Sequence, residues 1–132
     1  MSRYLLDTNA LVFFMQDSAR LRAADRARIS NPDNTIYVSA VSFIEIAIKV
    51  NINKLDLGKS IMELVTDVEA LGIVVANLDV ETIAGLEHMK LFHRDPFDRL
   101  LILHAGSLDA IFLTSDKHLL LYDQYANVRS LA

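Results

Sequence analysis

Thr35-Ile36-Tyr37-Val38-Ser39-Ala40-Val41-Ser42-Phe43-Ile44-Glu45-Ile46-Ala47-Ile48-Lys49-Val50 changes character at Ser39. Thr35–Val38 is β-branched and aromatic, which predicts a short strand. Ser39 is a good N-cap, and the residues behind it predict a helix from Ala40 to about Val50. A strand running straight into a helix is the opening of a strand–helix–strand unit, and the rest of the chain repeats the alternation. On the N-terminal side, Tyr4–Leu6 is a short apolar run that stops at Asp7. Thr8 and Asn9 then supply turn and cap chemistry, and Ala10–Gln16 is expected to be helical. Leu21–Ser30 has helical spacing and ends at Asn31-Pro32-Asp33-Asn34. On the C-terminal side, Ile61–Leu71 is expected to be a helix closed by Gly72, with a strand over Ile73–Ala76. A helix over Val80–Leu86 follows. Asp95 and Pro96 then cap and open a helix running to about Ser107. Ala110–Thr114 predicts a strand, His118–Tyr122 a short helix, and Val128 a final edge strand. The expectation is one domain over residues 1–132, a three-layer α/β/α sandwich around a central, mainly parallel sheet.

Composition limits what such a domain does. Hydrophobic residues make up 52% of the 132 residues, too many for a disordered chain. The longest unbroken apolar run, Ala10–Met15, is far shorter than the ~18 residues a membrane helix needs. No membrane association is expected. Without cysteine, disulfides and zinc–thiolate sites are excluded, and a reducing cytoplasm is the expected setting. Seventeen acids against thirteen bases give a net charge of −4, so composition alone does not advertise a nucleic-acid binder.

Four acids stand where chemistry gathers. Ligands of parallel sheets collect beyond the carboxyl ends of the strands. Asp7 follows Tyr4–Leu6 there, and Asp116 follows Ile111–Ser115. Either acid alone also reads as a turn residue. Glu45 lies in a helix that is apolar nearly all round and therefore expected to be buried, where an isolated carboxylate is very costly. A Glu45–Lys49 pair at i, i+4 is the plain reading, but it leaves Ser42, one turn earlier on the same face, unexplained. Asp95 suits a structural cap, and Asp98 falls at the third helical position. If Asp7, Glu45, Asp98 and Asp116 converge, their mutual repulsion amounts to several kcal/mol at ~4–5 Å and an effective dielectric near 20. They then require a counter-charge. Hard oxygen donors without cysteine point to Mg²⁺ or Mn²⁺. A cation so held suits phosphodiester hydrolysis, because it neutralises the charge that develops as water attacks phosphorus. Setting those four acids aside leaves a surface near neutrality, so nucleic acid is not repelled.

Four segments carry a resemblance to the PIN-domain nucleases, specifically to the VapC-type toxins of bacterial toxin–antitoxin pairs. Leu5-Leu6-Asp7-Thr8-Asn9 resembles the family's opening strand and first acid. Ser39-Ala40-Val41-Ser42-Phe43-Ile44-Glu45 is similar to its S-x-x-[ST]-x-x-E segment. His93-Arg94-Asp95-Pro96-Phe97-Asp98-Arg99-Leu100-Leu101 resembles the H-x-D-P-F-D-R-L-L signature of one subgroup, and Thr114-Ser115-Asp116 its closing T-x-D element. The resemblance implies a PIN-like α/β/α fold. It also implies an acidic quartet, Asp7, Glu45, Asp98 and Asp116, that binds Mg²⁺ or Mn²⁺ and cleaves RNA endonucleolytically. It further implies a homodimer silenced by a cognate antitoxin, with operator DNA reached only through that antitoxin.

On this reading Asp7 and Asp98 are the main metal ligands, Asp116 completes the set, and Glu45 holds a water or acts as general base. Asn9, Thr114 and Ser115 orient the carboxylates through hydrogen bonds, with an N-cap role open for Asn9. Lys49, Arg94 and Arg99 are the candidates for RNA phosphates. Arg20, Arg22, Arg26 and Arg28 read more simply as a solvated helix face. His88, His93, His104 and His118 show no metal-ligand spacing, and His104 reads as a satisfied core or interface histidine. Phe13, Phe14 and Met15 read as core. Two other functions fit the size and class: a receiver-like phospho-acceptor domain and a catalytically silent interaction domain. The first would need an acidic pair after the opening strand, where Asp7 stands alone.

Overall fold

Alternation along the strands decides the layering. In the computed structural model, which describes residues 1–132, five strands form one sheet: β1 Arg3–Leu6, β2 Thr35–Ser39, β3 Val74–Ala76, β4 Ile111–Thr114 and β5 Val128–Ser130. Their order is β3-β2-β1-β4-β5 and every pairing is parallel. Successive side chains point to opposite faces. Tyr4, Leu6, Ile36, Val38 and Leu113 join one apolar core, whereas Leu5 and Phe112 join the other.

Each core has its own helical cover. The first is closed by α1 Thr8–Met15, α2 Ala23–Ser30 and α4 Ile61–Ala70, through Leu11, Ile29, Leu64 and Val68. The second is closed by α6 Pro96–Ser107 and a 3₁₀ segment, Lys117–Tyr122, through Leu101, Ile102, Ala105, Leu119 and Tyr122. Helix α3, Ala40–Asn51, sends Val41 to one core and Phe43 and Ile46 to the other. A one-turn helix α5, Val80–Ala84, runs into a 3₁₀ turn, Gly85–His88. The expected three-layer α/β/α architecture is present, and the sheet is wholly parallel. Lateral order is the new information. The chain winds from β1 outward to β3, returns to β4 on the other side of β1, and so creates a switch point between β1 and β4. A receiver-like domain would run 2-1-3-4-5.

Two local readings need correction. Helix α1 begins at Thr8, because Asp7 itself caps it: Asp7 Oδ1 accepts from the Ala10 amide at 2.6 Å. Asn9 therefore sits inside the first turn and is no cap. Helix α3 is not buried all round, since Ile44 and Ile48 are about half exposed. An outer helix of a three-layer domain meets the core along one side only, and an apolar sequence cannot by itself say which side that is.

Helix ends follow one device. Asp17, Asn53, Gly72 and Asp109 each adopt positive φ just past the ends of α1, α3, α4 and α6. Ser18, Lys54 and Ala110 then donate back to Phe13, Lys49 and Ala105 carbonyls at 2.8–2.9 Å, closing a Schellman turn after α1, α3 and α6. The last of these aims the chain directly into β4.

Candidate active site

Asp7 leaves β1 at the switch point and is almost wholly buried. Its Oδ2 accepts from Thr114 Oγ1 at 2.8 Å, the Ser115 amide at 2.7 Å and Ser115 Oγ at 3.2 Å. The end of β4 therefore grips the end of β1. The Thr114 hydroxyl in turn accepts from the Asp116 amide at 3.0 Å, so one threonine sets two acids relative to each other. Asn9 Nδ2 reaches Ser115 Oγ at 3.3 Å and acts on Asp7 at one remove. Burial pushes the Asp7 carboxyl up, and these donors only partly offset it.

Glu45 points inward from α3. Thr8 Oγ1 lies 2.6 Å from Glu45 Oε1 and 2.9 Å from Ser42 Oγ. A hydroxyl has one proton, so Thr8 donates to the carboxylate and accepts from Ser42. This relay accounts for Ser42 one turn before Glu45, and Thr8 is its centre, a residue the sequence reading left as turn chemistry. Lys49 Nζ stands 3.9 Å from Glu45 Oε2 and is 41% exposed, a weak pair. Burial raises Glu45, opposed by Thr8 and Lys49 and reinforced by Asp95 and Asp7.

Asp98 is strongly perturbed as well. It rises in the first turn of α6, where Asp95 Oδ1 caps the Phe97 amide at 2.9 Å. Burial first, then the charges of Asp95 and Glu45, push its carboxyl up to about 7, against the hydrogen bond from His93. Asp116 behaves oppositely. Slight burial pushes it up, but the His118 amide and ring, with the charge of His93, outweigh this and hold it below the ordinary range.

These acids meet in one place. Asp7, Thr8, Asn9, Glu45, Lys49, Asp95, Asp98, Ser115 and Asp116 line a cavity of about 110 Å³ that no hydrophobic residue enters. Asp95 keeps the capping role read from the sequence and lines this cavity too. Five carboxylates from four chain segments face one lysine, and three of them are raised by burial, an arrangement that favours a bound cation. Of the phosphate candidates, Lys49 lines the cavity. Arg94 is exposed and outside the lining, and Arg99 turns Nη2 toward the Arg94 carbonyl at 3.4 Å. Arg20, Arg26 and Arg28 are occupied elsewhere. Arg26 pairs with Asp17 at 3.0 Å, Arg28 pairs with Asp25 at 2.9 Å and lies over Tyr4, and Arg20 lies over Phe13.

His93 is the residue that spacing rules missed. Its Nε2 lies 3.0 Å from Asp98 Oδ2 and 3.8 Å from Asp116 Oδ2. It enters from the loop ahead of α6, so no helical period connects it to the acids. The available signal was its place two residues before the Asp95 cap. His104 is buried as expected, with Nδ1 2.8 Å from Ser39 Oγ, at the cap of α3.

Three solved structures of like fold are of assemblies bound to DNA. The chain is similar to one in VapBC2 from Rickettsia felis bound to a promoter DNA fragment, at 16% identity and a TM-score of 0.65, covering 98% of this chain and 99% of that one. It is similar to one in DNA-bound VapBC from Salmonella typhimurium, at 19% identity and a TM-score of 0.63, with 98% of each chain covered. FitAB bound to an IR36 DNA fragment gives 18% identity and a TM-score of 0.62, over 96% of this chain and 94% of that one. No curated protein matches the chain. The PIN domain family model matches residues 4–125. That match runs from β1 through β4 and takes in all five cavity carboxylates, and the chain belongs to the PIN domain family.

Proposed function

We propose that the chain is a Mg²⁺- or Mn²⁺-dependent endoribonuclease, the VapC-type toxin of a toxin–antitoxin pair. The observation that carries this reading is the set of five carboxylates gathered from four segments into one polar cavity at the switch point of the sheet. The donor set fits a hard divalent cation, with Asp7, Asp98 and Asp116 as oxygen ligands and Glu45 beside them. When bound, such an ion neutralises charge developing on the scissile phosphate and acidifies water.

The rest of the chemistry belongs to the chain. Thr114 and Ser115 fix Asp7 in one orientation. The Ser42–Thr8 relay holds Glu45 Oε1 and leaves Oε2, whose ion-pair partner is Lys49 at 3.9 Å, to take the proton of the attacking water. A carboxyl raised by burial is the stronger base for that step. Lys49 at the rim meets a phosphate oxygen of the RNA. Silencing by a cognate antitoxin, a homodimeric state, operator DNA bound only through the antitoxin, and a cytoplasmic setting belong to the same reading. The VapBC and FitAB assemblies of like fold support the antitoxin, and no helix is long and apolar enough to cross a membrane.

The test is cleavage of RNA by purified chain in Mg²⁺ or Mn²⁺. The expected result is endonucleolytic products that disappear with EDTA and in Asp7→Asn. Products that survive both controls, or none under any divalent ion, defeat the reading.

A further inference from the structure

Two stretches of the chain, residues 93–98 and Asp116, bring one nitrogen and two oxygens to a single point. His93, Asp98 and Asp116 each offer one donor atom, all within 4.8 Å of one another. The imidazole Nε2 stands 3.0 Å from Asp98 Oδ2 and 3.8 Å from Asp116 Oδ2. In a six-coordinate ion with bonds of about 2.1–2.2 Å, adjacent ligand atoms lie roughly 3 Å apart and opposed ones roughly 4.3 Å. Small side-chain adjustments bring the three atoms to those spacings.

The imidazole is presented by a fixed support. The amides of Phe92 and His93 both donate to Tyr122 Oη at 2.8 Å, and Tyr122 is fully buried in the second core. The Phe92 ring packs edge-on against the same tyrosine, 5.1 Å between centroids. On the other side, Asp116 Oδ1 is engaged by the amide and ring of His118 at 2.9 and 3.0 Å. That contact leaves Oδ2 as the oxygen nearest His93.

We infer that His93 is a nitrogen ligand of the divalent ion held by Asp98 and Asp116, and that its imidazole biases the site toward a first-row transition ion such as Mn²⁺ over Mg²⁺. This rests on the divalent site proposed above and adds to it a donor of a different kind. Carboxylates alone suit Mg²⁺, whereas an imidazole is a borderline donor that first-row transition ions accept more readily. Ligation requires Nε2 free of its proton, so the neutral ring carries its one proton on Nδ1.

The test uses the full chain loaded with Mn²⁺ and read by electron spin-echo envelope modulation. The expected result is a ¹⁴N coupling that changes to the ¹⁵N pattern when histidine is ¹⁵N-labelled. It disappears in His93→Ala and His93→Gln and remains in His118→Ala. The Mn²⁺ dissociation constant, from free-ion EPR, is expected to rise at least about tenfold in His93→Ala, since loss of even an indirect partner of a metal costs that much. Mg²⁺ affinity, from competition, changes far less. Bound Mn²⁺ without nitrogen coupling, or a coupling that persists in His93→Ala, overturns the inference and leaves the metal-dependent reading standing. No bound Mn²⁺ at millimolar concentration defeats both. If a His93 variant folds poorly, the ¹⁵N-labelled His118→Ala chain decides the point, because His104 lies against Ser39 and His88 against Glu87, away from the cavity acids.

Discussion

Asp98 holds its proton more tightly in the folded chain than in an unfolded one, because its carboxyl is pushed up from 3.8 to about 7. The sign follows from linkage: this contribution to stability is complete below about pH 4 and is lost as pH rises through about 7. Asp7 and Glu45 are displaced the same way, while His104, held neutral by burial, opposes them as pH falls below about 6.5. Comparison with a variant isolates the Asp98 contribution. Without metal, Asp98→Asn is expected to gain on the order of 2 kcal/mol over the parent at pH 8, and the gain should vanish toward pH 4. Melting curves in EDTA across that range check it, and a variant less stable than the parent at pH 8 contradicts a self-repelling cluster. For Glu45→Gln, Thr8 can still donate to the side-chain oxygen, so the fold holds or gains slightly. RNA cleavage is expected to fall by roughly 10²–10⁴, the usual cost of losing a general base. Much of this was legible in the sequence. A lone acid inside an apolar helix, and acids directly after apolar runs, contradict their surroundings and so declare themselves. His93 made no such contradiction. Its position depends on an anchor at Tyr122, 29 residues away, and on the direction in which α6 leaves the sheet.

Elements here are joined by a few contacts with separable costs. His104 connects α6, which carries Asp98, to the Ser39 cap of α3, which carries Glu45. His104→Ala leaves a cavity and takes from the buried Ser39 hydroxyl its side-chain partner, leaving it only the Val41 amide. It is expected to cost about 2–4 kcal/mol by denaturant titration. Two glycines test two different reasons for glycine. Gly72 ends α4 at φ +82 with nothing near a would-be Cβ, so Gly72→Ala carries only the backbone cost of about 1–2 kcal/mol. Gly106 lies within α6, where a Cβ would collide with the Tyr125 carbonyl oxygen of the chain leading to β5. Gly106→Ala is expected to lose about 1–3 kcal/mol and to loosen β5, seen as faster amide exchange over 125–130. A smaller loss than Gly72→Ala would show that the segment moves aside freely. Capping chemistry made most element boundaries readable, at Ser39, at Asp95-Pro96 and at Gly72. The start of α1 was misplaced because Asp7 does two jobs, and a residue marked as a candidate ligand is easily denied the cap as well.

At the scale of the whole molecule the charge separates cleanly. Without the five cavity carboxylates and Lys49, the rest of the chain carries twelve acids and twelve bases. The net negative charge is therefore concentrated at one point, the switch between β1 and β4. Strand order, which created that point, was not readable from the sequence. Lateral pairing joins residues as far apart as Leu6 and Leu113, and no local pattern encodes which strand lies beside which. A preformed anionic pocket of this kind stores repulsion in the folded state alone, since the unfolded chain disperses the same acids. A divalent ion that binds only the folded chain is expected to stabilise it by about 2.7 kcal/mol at a hundred times its dissociation constant. For a domain of this size that raises Tm by about 10 °C. Differential scanning calorimetry across a Mg²⁺ or Mn²⁺ titration measures the shift, with Ca²⁺-free buffer and matched ionic strength separating binding from screening. Asp7→Asn should respond weakly to the ion whatever its metal-free Tm, which falls to the extent that the amide nitrogen cannot accept from Ala10 or from Thr114 and Ser115. Curves that do not move with either ion, or that move equally in Asp7→Asn, would mean that the five acids are held apart by the fold without being arranged for a cation.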